Sequence, residues 1–498
     1  MIEAGRTSSF PLAAILSNRV QYLAVIGSVA LGLVIAVVPV PVGVMIGFIT
    51  TAVILTCITP IAGLAVLLIL APLRTLIATE SSFQLPLDIG QITLIAVLST
   101  YFAGRVASHR RLLQETWTSI TTPLILFIVV AGLSVFNSVS LSAWLNEWVK
   151  WLQILALSIW VCEIARGNRW RWIVLALVFS GIANALIGMY QFFGGSGALH
   201  LVVGDRFFRA FGTFGQPNPF GGFIGLLLPI SMMMALAHAQ GLLKTSVSNP
   251  HHLRKGGLAL IYGLASVVML VAIGMSWSRG AWLGLAGAFG VIALTLPRQR
   301  KWGLLLVGGA VVAFAAGWYF DLIPSSLIQR LSSSTQELFA FEDVRGIDIT
   351  PENFAIAERL AHWQAALNMA TDQPFVGVGL GHYEVVYGQY RLINWSEALG
   401  HAHNTYLNLL AELGIIGLLV YGKAWLLIIW LNWRSTQHPD VVARFAAVGL
   451  LGTWTYLHIH SLFDNLYVNN VFIHLGVMLG ILAVLNDQLR SNVKVATP

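Results

Sequence analysis

The feature that most constrains the fold is a succession of apolar runs, each about 17–23 residues long, that recur along nearly the whole chain. Helices of that length cross a bilayer core, and only helices or closed barrels satisfy every backbone hydrogen bond in lipid. With 57% hydrophobic and 10% charged residues, the 498-residue chain does not match the soluble multidomain class that its length suggests. The sequence therefore predicts an all-α polytopic membrane protein.

The apolar runs predict about twelve to fourteen transmembrane helices. Pro39, Pro41 and Pro60 mark the boundaries between the first three. The N-terminal run has no signal-peptide cleavage pattern, so it is expected to stay as a helix. The predicted spans are 20–38, 41–57, 60–74, 89–106, 121–138, 146–165, 171–193, 218–238, 257–277, 281–297, 302–319, 409–432, 443–462 and 467–486.

The basic residues predict the orientation, because cytoplasmic loops are enriched in Lys and Arg. With the N-terminus inside, about 18 basic residues fall in cytoplasmic segments and about 8 fall outside. Both termini are therefore expected in the cytoplasm and the loop at 320–408 on the far side of a cytoplasmic (inner) membrane. Membrane topology accounts for the net charge of +7, so no nucleic-acid partner is expected.

The spacing of the apolar runs predicts four parts in the chain. They are N-terminal membrane helices at 1–193, central membrane helices at 194–319, a large extracytoplasmic loop at 320–408 and C-terminal membrane helices at 409–498. A shorter outer loop, rich in glycine, occupies about 194–217. Within the large loop, Pro351 and Pro374 bracket an expected amphipathic helix with an apolar stripe. The stripe residues are Ala357, Leu360, Trp363 or Gln364, Leu367 and Ala370. We expect this helix to cover the outer face of the bundle.

A histidine–asparagine pair, His403-Asn404, stands where the large loop meets the next membrane helix. A neutral imidazole at a water-facing edge is a candidate general base, because its ordinary pKa lies near working pH. Asn404 either orients that imidazole or caps the following helix.

Three arginines are expected on the same outer face. Arg279 in SWSRGAW binds an anionic group or reaches lipid headgroups. Arg209 binds an anion or pairs with Asp205, and Arg359 faces the site or the solvent. Together their guanidinium groups match the oxygens of a diphosphate.

Two further groups lie close to the same edge. His460 and Asp464, in HIHSLFDN, are interpreted as orienting the base, lining the acceptor path or making a structural hydrogen bond. Glu412 lies inside a membrane helix and needs a partner that the sequence does not identify, whereas Glu147 and Lys150 are expected to pair.

No metal or cofactor site is predicted. His401 and His403 could bind one ion together, but the sequence shows no carboxylate or cysteine cluster to complete the set. Gly377, Gly379 and Gly381 follow a helix instead of a strand, so they are expected to form a tight turn and not a phosphate loop. The two cysteines suggest neither a disulfide nor a metal site.

These residues resemble the O-antigen ligase superfamily of membrane glycosyltransferases. The resemblance rests on His403-Asn404, a gap of nine residues and Gly414…Gly417, and it covers roughly 200–470. Supporting segments are RAFGTFGQPNPFGG, SWSRGAW and the series from Arg359 to Gly379 that precedes the histidine.

The resemblance implies a polyprenyl (undecaprenyl) diphosphate-linked glycan as donor, membrane lipids as surroundings and a glycan, lipid or protein as acceptor. It implies that Arg279 and Arg359 hold the diphosphate and that His403 activates the acceptor hydroxyl. The expected reaction is a metal-independent displacement with inversion on the outer face.

Two alternatives stay open. A polymerase of the same superfamily would use the same chemistry on a sugar-chain acceptor. A small-anion transporter would use the arginines for selectivity, but the sequence shows no inverted repeat and its reactive groups cluster on one face.

Overall fold

The computed structural model describes residues 32–33, 37–80, 88–113, 117–195, 198, 201–203, 206–246, 248–323, 325, 328, 332, 343–350 and 353–496. Nearly all regular structure in these residues is helical, which confirms the predicted all-α polytopic fold class. The predicted span 20–38, Pro351 and Asp205 lie largely or wholly outside the described residues.

The described α-helices are numbered here in chain order. They are α1 (Val40–Ile58), α2 (Pro60–Leu70), α3 (Arg74–Glu80), α4 (Ile89–Ala107), α5 (Thr121–Leu133), α6 (Leu141–Ile164), α7 (Trp170–Tyr190), α8 (Pro217–Leu243), α9 (His251–Ser276), α10 (Arg279–Thr295), α11 (Arg300–Tyr319), α12 (Phe354–Asp372), α13 (Tyr383–Tyr390), α14 (Thr405–Ser435), α15 (Val441–His460) and α16 (Val471–Ala496). Short helical turns extend some of them at Ala71–Leu73, Ser134–Asn137 and Gln191–Gly195. The short outer loop contains two antiparallel strands, β1 (Val202–Val203) and β2 (Phe207–Phe208), in the register Val202 opposite Phe208.

Eight helical segments of the described chain are long and apolar enough to cross a membrane. They are Pro60–Thr79, Ile89–Ala107, Trp170–Gly194, Pro217–Leu243, His251–Ser276, Arg300–Tyr319, Thr405–Ser435 and Val471–Ser491. Three further apolar helices are shorter, at Val42–Ile58, Thr121–Asn137 and Arg279–Thr295. Helices α6 and α15 are 24 and 20 residues long but carry more polar residues.

The centre of the bundle is formed by α8 and α16, whose side chains are buried almost all round. A helix that is apolar on every side suits such a position, because it has no face to expose to water. Helix α8 packs against α9 and α15, and α16 packs against α6. Helix α11 is instead exposed along nearly its whole length, as expected for a lipid-facing helix.

The helix expected in the large loop is present as α12, which packs along the start of α14. Its buried face includes Ala357, Leu360, Trp363 and Ala370, as expected. Leu367 is only partly buried, and His362 takes a place in the buried face that the stripe did not assign to it. A polar ring can occupy that place because Tyr383 provides it with a hydrogen-bond partner.

Candidate functional site

The His403-Asn404 pair lies at the first turn of α14, where Asn404 is the N-cap. Its side-chain oxygen accepts from the backbone N–H groups of Tyr406 (3.0 Å) and Leu407 (3.1 Å). Its amide group donates to the backbone oxygen of Leu462 at 3.1 Å. The capping alternative therefore holds for Asn404: these bonds are all to backbone and none is to an imidazole.

The same junction is fastened to the segment that follows α15. The Thr405 backbone N–H donates to the Ser461 carbonyl at 2.9 Å, and the Thr405 hydroxyl donates to the Asp464 carbonyl at 3.1 Å. With the bond from Asn404 to Leu462, three hydrogen bonds join the two segments. This docking places the carboxylate of Asp464 beside the histidines.

Asp464 lies between two imidazoles. Its Oδ1 atom is 3.6 Å from His401 Nε2 and 3.6 Å from His403 Nδ1. The carboxylate is 4% exposed and each imidazole 15%, so the cluster is largely shielded from water. Such a pair of an aspartate and a histidine is the arrangement that orients an imidazole and stabilises its protonated form.

The hydrogen bonds indicate which nitrogen of each ring carries the proton. The backbone N–H of His403 donates to His401 Nδ1 at 3.0 Å, so the proton of His401 belongs on Nε2, facing Asp464. His403 has φ of +53°, an uncommon left-handed conformation that helps aim its ring. Neither ring nitrogen of His403 has a hydrogen-bond partner in the described chain. Nδ1 is the nitrogen that faces Asp464, at 3.6 Å, so Nε2 is the one left to act as an acceptor.

A third imidazole, His362 of α12, lies against His403. Their ring centres are 5.7 Å apart in an edge-to-face arrangement. His362 is 1% exposed, and its Nδ1 is 2.8 Å from the Tyr383 hydroxyl, which in turn donates to the His362 carbonyl at 3.2 Å. Helix α12 thus closes one side of the site with a ring held in place by Tyr383.

Burial keeps two of these imidazoles neutral. Burial, with the neighbouring charge of His403 second, lowers the pKa of His401 to about 4 and that of His362 to about 3. Burial also raises the pKa of Glu358, which the charges of His403 and Arg359 partly offset. For Asp464, burial opposes ionisation, but the facing His403 and the charge interactions with His401, His403 and His460 lower its pKa well below the usual range.

Two backbones cross closely beside the start of α14, which explains the glycine that follows Asn404 after a gap of nine residues. The backbone N–H of Ile415 donates to the Pro374 carbonyl at 2.9 Å, and that of Gly379 donates to the Glu412 carbonyl at 2.9 Å. Gly414 interrupts α14 with φ of +62°, and a Cβ atom there would lie 2.3 Å from the Phe375 carbonyl carbon. Only glycine fits such a position without strain.

The glycine series forms the turn that the sequence predicts. Gly377, Gly379 and Gly381 have φ of +67°, +111° and +72°. The turn carries the chain from α12 to α13, and the backbone N–H of Tyr383 donates to Glu412 Oε1 at 3.0 Å. Glu412 therefore obtains the partner that sequence analysis did not identify.

The three arginines come from three segments, Arg209 from the loop after β2, Arg279 from α10 and Arg359 from α12, and each is half-buried. Arg209 donates from Nε to the Ser276 carbonyl at 3.0 Å and from NH2 to the Trp277 carbonyl at 3.4 Å, which places it two residues from Arg279. Arg279 opens α10, whose N-cap makes no side-chain hydrogen bond. Arg359 is near enough to His401 for its charge to lower the pKa of that imidazole.

His460 links the arginine side to the aspartate side. It is fully buried, and the backbone of Gly280 lies beside it, next to Arg279. The backbone N–H of Asp464 donates to the His460 carbonyl at 3.1 Å. His458 faces a different neighbour, the Tyr406 hydroxyl at 2.9 Å, as expected for residues two apart on a helix.

A small cavity of about 250 Å³ opens on the other side of His401. Its lining includes three carboxylic acids, Glu147, Glu384 and Glu412, together with Asn146. Glu147 forms the expected ion pair with Lys150. The histidine cluster therefore has guanidinium groups among its neighbours and carboxyl groups in the cavity that His401 lines.

One sequence expectation needs correction. Among the described residues, His401, His403 and Asp464 each offer a ligand atom within 4.8 Å of the other two, so a carboxylate does complete the histidine pair. The separation of 3.6 Å between their nitrogen and oxygen atoms is compatible with neighbouring ligands of a tetrahedral Zn²⁺. The sequence did not reveal this because about 60 residues separate Asp464 from the histidines.

The structure thus brings together the residues singled out in the sequence, namely Arg209, Arg279, Arg359, His403, Asn404, His460 and Asp464. It adds three that sequence reasoning did not place in the site: His362, Tyr383 and the acid Glu358. A polar residue on the apolar face of α12 was the available signal for His362.

The O-antigen ligase family model matches residues 264–422. The matched region includes Arg279, Arg359 and His403, whereas Arg209 and Asp464 lie outside it. No match is found among curated proteins. Residues 264–422, which contain the histidine junction and two of the three arginines, are therefore similar to the O-antigen ligase family.

Proposed function

We propose that this protein is a glycosyltransferase that moves a glycan from a polyprenyl diphosphate, such as undecaprenyl diphosphate, to an acceptor hydroxyl. The observation that carries the proposal is the His403–Asp464 pair, in which His403 Nε2 has no hydrogen-bond partner in the described chain and the adjacent His401 lines a cavity that contains carboxyl groups. The family match supports the same reaction class.

In the proposed reaction, His403 Nε2 takes the proton of the acceptor hydroxyl as that oxygen attacks the anomeric carbon. The bond from this carbon to the diphosphate oxygen breaks, and the polyprenyl diphosphate leaves with the bonding electrons. A single displacement of this kind inverts the anomeric configuration. A positioned general base contributes on the order of 10²–10⁴-fold, and Asp464 stabilises the imidazolium that forms.

The donor diphosphate is assigned to the arginine side. Guanidinium groups form paired hydrogen bonds with phosphate oxygens, and Arg279 and Arg359 approach from two different helices. The uncapped N-terminus of α10 adds backbone N–H groups and a partial positive charge. Arg209 holds the turn before Arg279 through the Ser276 and Trp277 carbonyls, which gives it a positioning role in this proposal.

The acceptor is assigned to the cavity beyond His401. Carboxyl and amide groups bind sugar hydroxyls and repel phosphate, so Glu384, Glu412 and Asn146 favour a neutral, hydroxyl-rich acceptor. This charge arrangement also separates the two substrates, because the anionic donor is attracted to the opposite side. It does not distinguish a ligase from a polymerase, since either acceptor presents a sugar hydroxyl.

We propose that the site faces away from the cytoplasm and that the termini lie inside. In a Cys57→Ser background, the exposed Ser396→Cys should react with a membrane-impermeant maleimide in intact cells. The matched Ser248→Cys, in the loop between α8 and α9, should react only after lysis. The opposite pattern would reverse the orientation.

Transfer is tested with purified protein in nanodiscs, a polyprenyl-diphosphate glycan, an acceptor saccharide and EDTA. Wild type should release the lipid diphosphate and extend the acceptor, and His403→Ala and Arg279→Ala should lose at least about 100-fold of that rate. The exposed His109→Ala and Arg110→Ala are matched controls and should retain it.

Transfer at equal rates by wild type and His403→Ala would refute the assigned base. Wild type could instead be inert on several donors but move a labelled anion into proteoliposomes in an Arg279-dependent manner. That result would favour the transporter hypothesis over the glycosyltransferase hypothesis.

A further inference from the structure

A second cavity, of about 470 Å³, lies at the opposite end of the bundle from His403. It is lined by the start of α7, the end of α8 and the start of α9. Helix α9 has 26 residues and is about 38 Å long, and its far end carries Ser276, the acceptor for Arg209. The cavity therefore belongs to a different surface from the proposed transfer site.

Four cationic side chains line this cavity: Arg169, Arg171, Arg254 and Lys255. The lining residues include no acid. Just outside, Asp440 is 3.1 Å from Arg171 NH2, but Asp440 also caps α15 through the Ala443 N–H. The excess positive charge predicts an anionic ligand.

Two independent observations point to a ligand here. The Nε atom of Arg171 is buried and has no hydrogen-bond partner in the described chain, although the NH2 group of the same side chain pairs with Asp440. In addition, α7 begins at the cavity, after Arg169, with no side-chain cap, whereas at the start of α9 the Asn249 side chain accepts from the His251 N–H. The N-terminal N–H groups and partial positive charge of α7 favour an anion at this position.

The rest of the lining is apolar and indicates what kind of anion fits. Trp172, Leu175, Leu258 and Val442 extend the cavity from the cations along the helices. Trp172 is 54% exposed, at the level of the bundle where an indole ring suits the membrane interface. A free phosphate would make no favourable contact with the apolar wall. A phospholipid, in contrast, carries a phosphate for the cations and acyl chains for the apolar residues beyond them.

We propose that this cavity binds one anionic phospholipid of the leaflet opposite the transfer site. Its phosphate lies among Arg169, Arg171, Arg254 and Lys255, and the upper part of an acyl chain lies along Trp172 and Leu258. Basic pockets between membrane helices recognise anionic headgroups in this way. The bound lipid satisfies Arg171 Nε and joins α7, α8 and α9.

The test measures binding of phosphatidylglycerol to the purified full-length chain by native mass spectrometry, with phosphatidylcholine as the neutral comparison. Wild type should retain phosphatidylglycerol selectively. The double variant Arg254→Gln/Lys255→Gln should bind about 30-fold more weakly, because each basic residue near an anionic lipid contributes about fivefold. The pair Arg110→Gln/Arg111→Gln, exposed in another basic loop, is the matched control and should bind as wild type does.

Two further measurements decide the source of the phosphate and the integrity of the fold. Trp172→Ala should weaken lipid binding but leave protection by inorganic phosphate in a thermal-unfolding assay unchanged. Unfolding temperatures without lipid identify variants that fail to fold. If the double variant fails, the single variant Arg254→Gln replaces it, with an expected loss of about fivefold. The proposal would be overturned if Arg254→Gln/Lys255→Gln and Arg110→Gln/Arg111→Gln lost lipid binding equally. Displacement of the lipid by millimolar phosphate would overturn it as well.

Discussion

The most informative single substitution is Asp464→Asn, because it removes a charge and little else. The Asp464 side-chain oxygen accepts from the Asn465 backbone N–H at 2.8 Å, and an asparagine oxygen can accept the same bond. At an effective dielectric constant of about 20, unit charges 3.6 Å apart interact by about 4.6 kcal/mol. If the imidazole carries about half of the proton's charge in the transition state, the loss is about 2.3 kcal/mol.

We therefore expect kcat to fall about 50-fold in Asp464→Asn, with an upper limit of about 2,000-fold for complete proton transfer. The KM for the lipid-linked donor should change little, because the arginines and not Asp464 contact the diphosphate in the proposed mechanism. The assay is initial-rate transfer in nanodiscs at several donor concentrations, with an unfolding scan as a control for folding. A variant that keeps more than half of kcat, or that changes only KM, would refute the role assigned to Asp464.

Three further predictions concern the fold and the site. Gly414→Ala should destabilise the fold by at least about 2 kcal/mol and lower the unfolding temperature, because φ is +62° and the new Cβ would meet Phe375. The matched Gly422→Ala in the same helix has open space and should be neutral or stabilising. Equal effects of the two variants would contradict the backbone-crossing argument. EDTA should leave wild-type transfer unchanged, whereas added Zn²⁺ should inhibit it reversibly by engaging His401, His403 and Asp464; activity that requires a metal would show that the proposed mechanism is wrong. Stability should fall as pH decreases from 6.5 to about 4 for His401 and to about 3 for His362, because the unfolded histidines bind protons that their folded, pKa-lowered forms do not. In unfolding scans at pH 5 and 7.5, His401→Gln should flatten this dependence and the exposed His109→Gln should not, and identical slopes would contradict the lowered pKa of His401.

Local features of the site were predictable. The helix Phe354–Asp372 follows from apolar spacing and a following proline, and the turn at Gly377–Gly381 follows from glycine spacing. The Glu147–Lys150 pair follows from the geometry of a single helix. Each of these depends on residues within a few turns of one another.

Other features depended on contacts that the sequence does not record. Asn404 had two possible roles, and its bonds to Tyr406, Leu407 and the Leu462 carbonyl decide for the cap. The partners of Glu412 include the side chain of Asn408, one turn earlier, and the backbone N–H of Tyr383, and a backbone donor from a distant part of the chain has no sequence signature. The sequence gives no reason for a histidine on the apolar face of α12, whereas the structure places the Tyr383 hydroxyl within hydrogen-bond distance of His362.

The sequence alone was enough to predict a helical membrane protein with a helix in its large loop and a His403-Asn404 junction at the start of α14. Those properties follow from composition and short-range periodicity, which act through lipid solvation and bonds within one helix. Only the tertiary structure decided that Asp464 meets both His401 and His403, and that four cations surround a cavity at the other end. Distances of 3–4 Å between residues far apart in the chain depend on how helices pack, which a hydrophobic pattern does not specify.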